Sequence, residues 1–131
     1  MNDILVPISP GELLDKITIL RIKAERMQDA TKLANVRLEL QLLERTWRDA
    51  CGTADVAAEE RALQAVNERL WDIEDRIRAQ EKAQDFGAGF IELARAVYFR
   101  NDERAAIKRA INLKLGSRLV EEKSYQDYRP T

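Results

Sequence analysis

The chain has 131 residues, with 22 basic and 23 acidic side chains, no histidine and a single cysteine. Its net charge of -1 supplies no global field to draw it to nucleic acid or anionic lipid. The missing histidine removes Ser-His-Asp and Cys-His catalysis, Glu-x-x-His di-iron sites and the usual zinc sites. Five glycines, three prolines and a charged third of the residues describe one helical domain, large enough to bury a core without disulfide or metal staples. Cys51 has no partner within the chain, so the expected setting is the reducing cytoplasm.

The opening stretch "MNDILVPISPGELL" has no basic n-region, and Pro7 breaks its short apolar run. It reads as a short extended segment, neither a signal peptide nor a membrane span. Ser9, Pro10 and Glu12 spell a capping box that starts a helix at Pro10. Leu13, Ile17, Leu20, Ala24 and Met27 then predict a helix over about 10–28, with Ile19 and Ile22 off that stripe among Asp15, Lys23 and Arg26. A helix with a second apolar face is sandwiched between elements or lies at a subunit contact.

Leu33, Val36, Leu40, Leu43, Trp47 and Ala50 keep coiled-coil spacing over 31–51, and Gly52 closes that helix. Behind Thr53 as N-cap, Leu63, Val66, Leu70, Ile73 and Ile77 repeat the seam over 54–84, leaving Trp71 off it. The short "CGTAD" link between two matching seams predicts that these two helices form a long antiparallel hairpin. "DFGAGF" marks a loop. Beyond it the pattern gives a short helix over 89–99 and another over 102–115, with Asn101 as N-cap and Gly116 as the left-handed closing residue. The tail 117–131 shows no secure period. The expected architecture is all-α, a helical bundle around the hairpin.

The segments "PISPGELLDKITILRIKAER" and "FIELARAVYFRNDERAAIKRAIN", with "NDERAAIKR" followed by "EEKSY", resemble an uncharacterised bacterial domain family, a domain of unknown function. The likeness covers most of the chain. It implies an intracellular helical domain and assigns no activity and no catalytic residue.

Candidate sites come from the residues themselves. Residues 100–118 hold Arg100, Arg104, Lys108, Arg109, Lys114 and Arg118 against Asp102 and Glu103. Arg104 and Lys108 lie one turn apart and Arg100 precedes them, a cluster able to hold a phosphate, nucleotide or carboxylate. The bland alternative is a solvated helix exterior ion-paired to the acidic third helix. Glu68, Asp72 and Asp75 share a face at i, i+4 and i+7 and offer oxygen ligands to Mg²⁺, although the arginines beside them also suit a mixed-charge exterior. "LLDKITILRIKAER" vaguely resembles the first helix of the all-helical chorismate mutases, which implies Arg21 or Arg26 on a substrate carboxylate. Cys51 lacks the surroundings that lower a thiol pKa. Ile19, Ile22 and Trp71, apolar and off the seams, are the expected contact between chains. The leading expectation is therefore a non-enzymatic interaction or assembly module that self-associates, as a dimer, or binds another protein. No cofactor, membrane or nucleic-acid partner is expected. An anion binder and a small Mg²⁺-dependent or chorismate-mutase-like enzyme are the alternatives.

Overall fold

A computed structural model describes residues 1–130, and Thr131, the end of the expected tail, lies outside the described residues. Among them are four helices and no strand: α1 (Pro10–Arg26), α2 (Ala30–Cys51), α3 (Ala57–Lys82) and α4 (Ala88–Lys114). The fold is an all-α bundle. No helix is long and apolar enough to cross a membrane among the described residues.

The shortest helix is the centre of the bundle, since α1 packs against α2, α3 and α4. This explains its apolar residues on every side: Leu13, Leu14, Ile17, Leu20 and Ile22 are all buried within the chain, as expected of a helix covered all round. Ser9 caps it by accepting the Glu12 N–H at 3.2 Å, and Pro10 fills the first turn. The capping box is only half made, because the Glu12 carboxylate turns away to the Lys108 ammonium at 2.7 Å.

The hairpins differ from the expected one. No Cα of α2 comes within 8 Å of α3, so the two matching seams do not face each other. The pairs are α1 with α2 and α3 with α4, each joined by a short link. Lys114 near the end of α4 reaches Glu59 at the start of α3 at 3.0 Å, which fixes that hairpin as antiparallel. Equal periodicity in α2 and α3 describes how each helix buries a stripe, not which helix covers it. The α2 seam packs on α1, and the α3 seam on α4 and α1.

Two helix starts also move. Val56, 3% exposed and packed in the core, takes the N-cap of α3 without a side-chain cap bond, so the helix begins three residues after the expected 54. The expected break at 100–101 is absent: α4 is continuous from Ala88 to Lys114, and Asn101 lies in its interior. The Asn-Asp-Glu sequence that suits a helix start is equally tolerated on the partly exposed face of a long helix held by packing. The loop before α4 covers residues 83–87, and its left-handed residue is Gln84 (φ 56°) rather than a glycine.

Leu14, Val56, Leu63, Val66 and Ile111 form the core cluster, with Trp47, Ile107 and Leu115 packed on it. It lies where the starts of α1 and α3 meet the ends of α2 and α4. After α4, Gly116 (φ 65°) closes the helix as expected: its N–H donates to the Leu113 carbonyl, and the Ser117 N–H to that of Asn112 at 2.9 Å. That pattern reverses the chain direction. Residues 117–130 then run back along α4 as an irregular strap.

Candidate functional site

The basic residues singled out in the sequence are where the helices are tied together. Asp15 sits on α1, 1% exposed, and Arg104 of α4 grips it with two parallel bonds, Nε to Oδ1 at 2.9 Å and Nη2 to Oδ2. Asn67 of α3 donates from Nδ2 to Asp15 Oδ1 at 3.0 Å and to Thr18 Oγ1 at 2.9 Å. The Thr18 hydroxyl donates to the Asp15 carbonyl at 2.9 Å. Three helices thus meet on one carboxylate. A buried charge is tolerated only when paired and hydrogen-bonded, and here both oxygens of Asp15 have partners. The Asp15 bonds, with its charge, raise the Arg104 guanidinium pKa above its ordinary value despite the opposing effect of burial.

One turn further along α4, Lys108 is 6% exposed. Its ammonium bonds Glu12 of α1 at 2.7 Å and Glu121 of the strap at 2.8 Å. Burial works against its charge, but the two carboxylates outweigh it and raise the pKa. Below it, Gly11 allows the start of α1 to touch α4. A Cβ there would overlap the Lys108 carbonyl oxygen, and the Gly11 N–H donates to Asn112 Oδ1 at 2.7 Å.

The strap follows the same face. Arg109 meets Glu122 at 3.1 Å, and Lys123 lies 3.3 Å from Asp102 and 3.4 Å from the Asn101 carbonyl. Tyr128 packs on Tyr98 and Phe99, with ring centroids 5.0 and 4.8 Å away. Burial, then the Asp102 carboxylate beside it, raises the phenol pKa of Tyr128.

Of the expected anion cluster, the structure brings Arg104 and Lys108 to one cavity, of about 360 Å³, with Glu12, Asn101, Glu121 and Lys123 among its walls. Arg100 does not line that cavity. It pairs with Glu103 at 2.7 Å and lines a separate depression with Glu92 and Phe99. Arg104, Lys108 and Arg109 are paired, with α1 and the strap. Of the partners expected on α3, Glu59 alone receives one of the six basic side chains, Lys114.

The possible metal ligands Glu68, Asp72 and Asp75 are not gathered. Glu68 accepts from Gln64 at 3.1 Å, and Asp72 is drawn to Arg26 at 2.6 Å. Among the described residues no group of three acidic or cysteine side chains is placed to hold a metal ion. The arginines considered for a substrate carboxylate are engaged as well: Arg26 with Asp72, and Arg21 with Glu60 at 2.6 Å and Glu44 at 3.8 Å, bridging α2 and α3. Partial burial pushes the Cys51 thiol pKa up. Of the expected contact residues, Ile22 is 1% exposed within its own chain and belongs to the core around α1, while Ile19 and Trp71 are half-buried.

Asp15 and Asn67 escaped the sequence reading as site residues. A signal for Asp15 was present, an acid among "LLDKITIL" on the same side of the helix as Ile22. Once Ile22 is known to be buried, an acid on that side demands a cationic partner.

No curated protein and no solved structure matches the chain. One family profile does, over residues 4–131, spanning both the α1 segment and the strap that grip α4. The chain belongs to that family, described as a family of unknown function (DUF6165).

Proposed function

We propose that the protein is a non-enzymatic assembly module that pairs with a second copy of itself through the outer face of α2. The observation behind this reading is the uneven cover of that helix. α2 has 22 residues, approaches α1 alone among the helices to within 8 Å between Cα atoms, and has Val36 as its one buried residue. Leu38 (59% exposed) and Leu42 (42%) stand one turn apart on its open side. In an antiparallel, two-fold arrangement Leu38 of one copy meets Leu42 of the other, and the same patch serves both partners. Ile4, Leu5 and Val6 add exposed apolar surface before α1. The contact is thus assigned to α2 rather than to Ile22, and a setting in the cytoplasm suits the unpaired Cys51.

Sedimentation at micromolar concentration tests the reading. Wild type should run as a dimer, and Leu38→Glu should give a folded monomer, because a charge at the centre of an apolar contact has no partner there. A monomeric wild type across that range, or a Leu38→Glu variant that still dimerises, rules the arrangement out.

A further inference from the structure

The strap does more than fasten the end of the chain, because it covers two adjoining cavities. One, of about 640 Å³, includes Tyr98, Asp102 and Tyr128 in its walls. The other, of about 360 Å³, includes Arg104, Lys108 and Glu121. Lys123 and Tyr125 line both. Each lies in the size range of small-molecule sites. One end of the joint cleft presents aromatic rings and the other a deep cation.

The two carboxylates on Lys108 differ in kind. Glu12 belongs to the first turn of α1, whereas Glu121 is carried on irregular backbone and its side chain is 44% exposed. Lys108 is buried but Glu121 is half-exposed, so exchanging Glu121 for another anion returns one carboxylate to water while the ammonium keeps two partners, and costs little. The exchange never leaves the buried ammonium short of a second partner, which would be costly. Charge selects the incoming group. Arg104, Lys108 and Lys123 are met by the four carboxylates of Glu12, Asp15, Asp102 and Glu121. A carboxylate that takes the place of Glu121 leaves that one-charge excess of acid unchanged, while a phosphate dianion enlarges it by one. The tyrosines add a preference for a flat ring, which stacks against them with gain beyond simple burial.

We propose that the cleft between α4 and the strap binds a small monocarboxylate carried on a flat ring. The ligand carboxylate replaces Glu121 on Lys108, and the ring lies against Tyr125 and the Tyr98–Tyr128 pair. The strap thereby carries its own competitor. This site is independent of the α2 contact.

Calorimetric titration with 4-hydroxybenzoate, acetate and inorganic phosphate tests it. The wild type should bind 4-hydroxybenzoate one to one, and acetate and phosphate at least about tenfold more weakly. Glu121→Gln should tighten 4-hydroxybenzoate by about two- to fivefold, the span set by removing a half-exposed competing carboxylate. Tyr125→Ala, at a side chain 85% exposed and so without consequence for folding, should weaken it several-fold. Lys108→Gln should abolish binding, with circular dichroism reporting whether that variant folds, and the other two variants decide the matter if it does not. The proposal is overturned if neither wild type nor Glu121→Gln binds the ring carboxylate at millimolar concentration. It is equally overturned if Glu121→Gln leaves the affinity unchanged, or if acetate binds as well as 4-hydroxybenzoate.

Discussion

The two halves of α4 show how one helix is held in two ways. From Arg104 to Asn112 it lies against α1 and is fastened by directional bonds: Arg104 on Asp15, Lys108 on Glu12, Asn112 on the Gly11 N–H. From Gly89 to Phe99 it has α3 and the strap but no such ties to α1, and Ile91, Tyr98 and Phe99 remain exposed. The length of α1 sets the boundary. Its 17 residues span about 25 Å, against about 40 Å for the 27 residues of α4. The fastened half is where position is specified, because a charge-assisted fork accepts one geometry. The other half is held by less particular apolar contacts and is freer to meet something else.

Substitutions along α4 should break this contrast in a graded way. The largest effect belongs to Arg104→Gln. It leaves the Asp15 carboxylate buried with only Asn67 and should cost about 3 to 5 kcal/mol in chemical denaturation. A solvated exterior arginine would cost about 0 to 1 kcal/mol, so a loss in that range would show that the fork does not hold α1. Gly11→Ala comes next. Its methyl pushes the start of α1 off the Lys108 carbonyl, an overpacking that should cost about 1 to 3 kcal/mol and weaken the Gly11–Asn112 bond. Preserved stability would mean that α1 can slide along α4. The smallest effect is Asn101→Ala. As an N-cap it would cost about 0.5 to 2 kcal/mol, but within a continuous helix alanine has the higher propensity, and stability should hold or rise by a few tenths of a kcal/mol. A clear loss would sharpen the contrast differently, by marking Asn101 as a fastener in its own right.

How much of this could be read in the chain depended on the range of the interaction. Ser9 and Pro10 announced the start of α1, and Gly116 the end of α4, since caps are written within a few residues. The seam of α2 was legible from its period, but its partner was not, because α1 and α3 offer equally apolar stripes. Asn101 misled for a physical reason: residues that begin helices are also admitted to helix interiors when packing supplies the stability. Arg104 and Lys108 stood out as a cluster, yet what they hold lies far off in sequence, Asp15 at a separation of 89 residues and Glu121 beyond the helix end. Charge spacing shows that cations gather. It does not say whether a ligand or the protein's own acids will meet them.

The separation of Asp15 from Arg104 also orders events in time. During synthesis α1 leaves the ribosome before the other three helices, carrying an acid on a surface that α3 and α4 will cover. At about 5 to 20 residues per second, the 89 residues between the two partners represent roughly 4 to 18 s in which α1 can pair with α2 and then α3 while Asp15 still lacks its guanidinium. The nascent chain must therefore wait with the charge of Asp15 unmatched until α4 docks, and the strap that follows can then close over α4.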